Sequence, residues 1–282
     1  METLAEPFQY LFFREGFAMT VLAGTLCALI GTYVVLRGMS YIGHGLSHAV
    51  FGGAAASFLV GINFYLGAGV WGLVSALMIN RVSRRRAIGA DAAIGVITTA
   101  SFAVGIALIS RNRSFTRNFE AALFGNVLGI DTSQVVGLAL VSVTVIGAIA
   151  FFYRRFLFLT FDGEVAEVFG LRTGRLDALF SLLLAASIIA SMQVLGVTLI
   201  AAALVIPPVS ARLVTDRFGR MLVLAGVMGA VTGGIGIYLS FYLDVASGAA
   251  IVICQAIVFS VLYMFSAFFG DRRAQLAGVE TH

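Results

Sequence analysis

The sequence predicts an all-α polytopic membrane protein, a single domain over residues 1–282 with about nine transmembrane helices, and three observations predict it. Hydrophobic residues make up 60% of the chain and charged residues only 11%, a composition far from that of soluble domains. The apolar residues fall in runs close to the ~20 residues that cross a hydrocarbon layer. The charges gather between those runs, and all 18 basic residues are arginine, the pattern of cytoplasmic loops in membrane proteins rather than of a nucleic-acid surface. With no lysine anywhere, a Walker A phosphate loop is excluded, so this chain does not hydrolyse ATP by that route.

In chain order the apolar runs cover about 16–36, 40–62, 64–80, 90–110, 131–152, 174–192, 194–214, 220–242 and 246–269. The joints at Gly61-Ile-Asn63 and at Gln193-Val-Leu-Gly196 are tight enough that eight helices would also fit the pattern. With residue 1 outside and the helices alternating, fourteen arginines are cytoplasmic and four, Arg14, Arg111, Arg113 and Arg117, lie outside. This predicts an N-out, C-in protein of the inner membrane. Cys27 and Cys254 sit within apolar runs and read as small buried hydrophobes. The first 15 residues carry Glu2, Glu6 and Glu15 and lack a basic start, so no cleavable signal is expected.

Segment 118–130 is apolar but too short to span, and it reads as an interfacial or re-entrant element on the outer side. Pro207 and Pro208 should break or kink the seventh helix, because proline lacks the amide donor and crowds the preceding turn. Glycines in helix two (Gly52, Gly53) and helix eight (Gly229, Gly233, Gly234, Gly236) allow close helix approach. Polar residues at depth, among them Thr98, Ser101, Gln134, Ser187, Gln193, Thr198, Ser210 and Gln255, are expected to bond between helices. Asp91, Asp131, Asp177 and Asp244 fall at helix ends, where capping or solvation is the default.

Two stretches carry chemistry. The first runs from Arg37 to Gly53 and holds His44 and His48, two of the chain's three histidines. At i and i+4 their imidazoles share one helix face and can reach one ion. Neutral imidazoles bind transition metals, and ionisable groups at membrane depth face a bundle interior or a watery path. The segment lacks the glutamate of a zinc-protease helix, so hydrolysis is not supported. The second stretch is Phe161-Asp162-Gly-Glu164-Val-Ala166-Glu167-Val-Phe-Gly170. Asp162 can N-cap a short helix there, the glutamates suit its first turns and Gly170 can end it in a left-handed conformation. Its acidic charge disfavours anionic lipid and favours a protein partner for Val165, Val168 and Phe169.

Taken together, the Arg37–Gly53 run, Leu-Phe-Gly at 123–125, the 161–170 loop, the Gly196 to Pro207 stretch and the Leu239 to Gly248 ending resemble the permease subunit of zinc/manganese/iron ABC importers. The resemblance implies the permease fold of metal- and cobalamin-type importers and a homodimer. It implies two copies of a separate ATPase and an extracytoplasmic metal-binding protein. It identifies the segment around 161–171, with Phe161, Asp162, Glu164, Ala166 and Gly170, as the element that couples to that ATPase. Members of the family commonly carry Gly-Asp-Ala-x-Ser-His where this chain has Gly43-His44-Gly45-Leu46-Ser47-His48. Trading a carboxylate for an imidazole moves the ligand set from manganese toward zinc.

The expected function is therefore inward transport of a divalent metal ion, zinc or manganese first and iron also possible in kind, with no permanently bound cofactor and with ATP used by the partner subunit. Two other readings fit the residues: a metal/proton antiporter that shuttles protons on the histidines, and a membrane anchor for an ATPase with structural histidines.

Overall fold

A computed structural model describes residues 6–83, 90–111, 123–125 and 130–276. Arg84, Arg85, Arg86, Arg113, Arg117 and most of segment 118–130 lie outside the described residues, as do the side chains of Asp91, Arg272 and Arg273. Regular structure among the described residues is helical.

After a short 3-10 turn at Glu6–Gln9, α1 spans Leu11–Leu36, α2 Ser40–Val60, α3 Phe64–Ser83, α4 Ala90–Arg111 and α5 Thr132–Phe151. Two short helices follow, α6 at Tyr153–Phe161 and α7 at Gly163–Val168. The chain then forms α8 at Thr173–Leu195, α9 at Ile200–Val214, α10 at Phe218–Leu243 and α11 at Ser247–Leu276. Nine helices of 15 residues or more are thus present among the described residues. Seven of them are long and apolar enough to cross a membrane. The two outside that group are α9, at 15 residues, and α2, whose two histidines and three serines dilute its apolar content. Gly61 and Gly196, at φ +74° and +75°, make the two tight joints turns between separate helices.

The bundle is organised on α1, which packs against α10, α9, α5 and α8, while α2 sits on α3, α4 and α9. Without a hydrophobic driving force between helices in lipid, close packing of small residues holds such contacts. Gly24 of α1 meets Gly229 of α10, where an added Cβ would lie 2.3 Å from the facing carbonyl oxygen. Gly52 of α2 meets the Ser101 carbonyl of α4 at 2.2 Å on the same measure.

Helix α9 runs unbroken through Pro207 and Pro208, so the break that two prolines allow does not occur. Pro208 offers no amide hydrogen to the Leu204 carbonyl one turn earlier. That carbonyl is where α1 comes closest, for a Cβ on Gly31 would lie 1.9 Å from the Leu204 oxygen and 2.8 Å from its carbon. Backbone meets backbone here and no flexible side chain can yield. Gly31→Ala should therefore part α1 from α9 and cost about 1–3 kcal/mol, seen as a lower unfolding temperature of the solubilised protein. Gly147→Ala, a position with nothing within 4 Å of the new methyl, should leave that temperature unchanged or raise it.

The polar residues at depth mostly do not bond between helices as the sequence suggests. Thr98, Ser101, Ser187 and Ser210 each donate to the carbonyl four residues earlier in their own helix, at 2.7–2.8 Å. A short hydroxyl reaches its own backbone more readily than a neighbouring helix. The longer amides do cross, Gln193 Nε2 donating to Gln134 Oε1 at 2.7 Å between α8 and α5. Buried Gln255 finds no partner among the described residues. Cys27 and Cys254 are free and buried.

Candidate functional site

Helix α2 begins at Ser40, so His44 and His48 lie one and two turns into it. Glycines flank His44 and seat the helix on two neighbours. A Cβ at Gly43 would press on the Leu204 side chain of α9, and one at Gly45 on Ile94 and Thr98 of α4. Ser47 donates its hydroxyl to the His44 carbonyl at 2.8 Å. The rings meet each other, Tyr41, edge-on to His44 at 6.1 Å, and Phe102, edge-on to His48 at 4.6 Å between centroids.

The two Nε2 atoms are 3.1 Å apart, and the rings stand nearly perpendicular at 83°. Nitrogens about 2.05 Å from a shared ion are separated by about 2.9 Å at a right angle and about 3.3 Å at the tetrahedral angle. The observed spacing falls between these values, so both lone pairs can address one ion with a small adjustment, and the bite does not by itself choose the ion's geometry. In the metal-free pair one Nε2–H can donate to the other ring. His44 is exposed on the surface of the single chain and His48 half-buried, with its Nδ1 buried and unpartnered among the described residues. No cluster of three or more His, Cys, Asp or Glu occurs among the described residues. Two ligands is what the described part of one chain provides here.

The second expected element takes the form its sequence suggests. The Val165 amide donates to Asp162 Oδ1 at 2.9 Å, which caps α7, and Gly170 closes it at φ +78°. Ala166 is fully buried, Glu164 is exposed, and Glu167 accepts from the Thr173 hydroxyl at the start of α8. Val168 is 85% exposed, Phe169 74% and Phe161 64%, an apolar set only partly covered, with Phe169 edge-on to Phe158 at 5.9 Å. Phe161 also lies edge-on to Phe218 of α10 at 6.3 Å.

What sequence reasoning missed is the pairing of Arg37. Counted only as one of the fourteen cytoplasmic arginines, Arg37 has a side chain that is 8% exposed and pairs with Asp177 of α8 at 3.1 Å. It also donates through Nε to the Thr160 hydroxyl of α6 at 3.1 Å and stacks over Phe180 at 4.3 Å. Asp177 is thus an ion-pair partner rather than a cap. Around this node Tyr33, Phe156, Phe180 and Phe218 pack ring to ring at 5.1–6.1 Å. The node joins the turn that starts α2 to the segment that leads into α7. The only sequence signal was the position of Arg37 at the head of the histidine run. Asp244, for which the sequence leaves capping or solvation, is exposed and ends α10 in a left-handed conformation at φ 52°.

Leu123-Phe-Gly125 closes on the α8–α9 joint. The Leu123 carbonyl accepts from both the Thr198 amide, at 3.2 Å, and the Thr198 hydroxyl, at 2.6 Å. A Cβ on Gly196 would come within 2.3 Å of the same oxygen. The family sequence pattern of the ABC 3 transport family matches residues 9–266. The chain belongs to the ABC 3 transport family. Among its similar members is the manganese transport system membrane protein MntC of Listeria monocytogenes, 38% identical over 92% of both chains. The chelated iron transport system membrane protein YfeC of Yersinia pestis is 35% identical over 94% of this chain and 90% of its own. The solved structure of PsaBC from Streptococcus pneumoniae in complex with Fab superposes at a TM-score of 0.83, with 30% identity over 92% of this chain and 94% of that one. A putative metal-chelate type ABC transporter in an inward-facing conformation, at 14% identity and a TM-score of 0.74, shares the fold. This ABC 3 chain is a multi-pass, helical membrane component of a metal transport system, with the permease fold that the motifs imply.

Proposed function

We propose that the chain is the permease of an ATP-driven importer of a divalent transition-metal ion in the inner membrane, N-terminus outside. The observation that carries this reading is the 3.1 Å separation of the two Nε2 atoms on α2. Two copies of the chain enclose the path, because His44 is exposed and the described residues of one chain offer two ligands where such ions take four or more. An extracytoplasmic binding protein delivers the ion, and two copies of a separate ATPase grip the Phe161–Gly170 segment, whose largely exposed apolar face fits a protein groove. The relatives named for manganese and iron support those cargoes; zinc rests on the imidazole pair alone. Pro207 and Pro208, with the free Leu204 carbonyl beside Gly31, give α9 a weakened turn at which it can flex against α1.

Reconstituted with its ATPase and binding protein in vesicles, the native permease should take up Mn²⁺, Fe²⁺ and Zn²⁺ in competition, with His44→Asp shifting the preference toward Mn²⁺. Imidazolium cannot ligate, so native uptake should weaken at acidic pH. Uptake that is as fast at acidic as at neutral pH would remove the histidines from the path.

The segment's role is separately testable. Val168→Asp with Phe169→Asp puts two carboxylates on largely exposed positions where a partner must be apolar, at the cost of the Phe158–Phe169 ring pair. Copurification of the ATPase should be lost while the permease itself stays folded; retained copurification rejects this docking face.

A further inference from the structure

Helices α5 and α10 both lean on α1 but leave a groove between them, of about 670 Å³. That volume lies within the ~300–1,000 Å³ typical of small-molecule sites. Its wall is Leu29 of α1, Ile146, Ile149 and Ala150 of α5, and Leu222 of α10. At one end stand Tyr153, Arg154 and Arg155, and no acidic residue lines it. Tyr153 packs on Phe218 of α10 at 5.6 Å between ring centroids, which closes that end. Arg155 lies over the Phe152 ring at 5.6 Å, so its guanidinium is held near the groove mouth.

We propose that this groove is a binding site for an anionic phospholipid, an acyl chain lying along the α5–α10 wall and the headgroup phosphate meeting Arg154 and Arg155. An apolar trough ended by two arginines, with no acidic residue among the described residues that line it, is complementary to that molecule at both ends. A bare apolar stripe would suit any chain; the paired arginines select negative charge. The groove helices are not the ones that carry the histidine pair. The site therefore leaves the α2 surface free for a second copy. The arginines sit on the first turn of α6.

Each surface-proximal arginine contributes about a fivefold preference for anionic lipid, so the pair predicts an enrichment of about 30-fold over zwitterionic lipid. The test is native mass spectrometry of the permease–ATPase complex extracted from membranes containing phosphatidylglycerol and phosphatidylethanolamine. The native complex should retain phosphatidylglycerol, and Arg154→Gln with Arg155→Gln should reduce its enrichment at least tenfold. Ala150→Trp, which fills the trough and leaves both charges in place, should displace the lipid altogether. Equal retention of phosphatidylglycerol in all three proteins, or equal retention of the two lipids by the native complex, overturns the proposal. So does efficient disulfide cross-linking of two permeases through Ala150→Cys, which would make the occupant a second copy.

Discussion

Metal uptake by the assembled transporter should fall at least about 100-fold when His44 and His48 are both replaced by alanine, while the complex still assembles and hydrolyses ATP. Loss of a residue that only orients a metal ligand already costs about 10–100-fold in affinity or activity, and here both nitrogens 3.1 Å apart are removed. The permease should survive the change. His44 is exposed, and Gly43, Gly45 and Gly52 seat α2 on α4 and α9, so the change costs that seat the edge contact of His48 with Phe102. The single variants should each retain more uptake than the double one, since one imidazole with water and a ligand from the second copy can still pass an ion. Uptake of radioactive or fluorescent-reported metal into vesicles measures this directly; wild-type uptake in the double variant would leave the pair a structural hydrogen bond.

Arg37→Met should be the most damaging single change to stability, at about 3–5 kcal/mol. It leaves the Asp177 carboxylate, only 25% exposed, without its guanidinium, and removes the link to Thr160 and the stack on Phe180. Asp177 has a further interaction of its own, which places the cost toward the lower end of that range. The double change Arg37→Met, Asp177→Leu should recover most of the loss, because a buried ion pair replaced whole by apolar groups is often neutral or stabilising. Unfolding temperatures of the solubilised permease read both results. If the double variant is as unstable as the single one, the charge left behind is not the cause. ATPase copurification should weaken in the single variant too, since α6 leads directly into the exposed face of α7.

These two sites differ in how far the sequence reveals them. The histidine pair is legible because its geometry is local: four residues of helix fix the relative position of two side chains whatever surrounds them. The cap at Asp162 and the left-handed Gly170 are legible for the same reason. Arg37 and Asp177 are 140 residues apart, and nothing in either neighbourhood distinguishes them from solvated charges at helix ends. Likewise the hydroxyls of Thr98, Ser101, Ser187 and Ser210 give no sign in the sequence of whether they reach a neighbouring helix or their own backbone. The Arg154–Arg155 groove exists only because α5 and α10 flank α1 without closing on each other.

By itself the sequence determined that this is a helical membrane protein with no Walker lysine, roughly where its long helices lie, and which segment carries paired imidazoles, because composition and helical period act over a few residues and lipid forces each span to satisfy its own backbone. Only the tertiary structure decided that Gly31 receives the carbonyl freed by Pro208, that Leu123 clasps the Thr198 turn and that a buried arginine joins the histidine helix to the α6–α7 segment. Those contacts depend on which helix lies beside which, and partners so distant in the chain are chosen by packing of the whole bundle rather than by any local pattern.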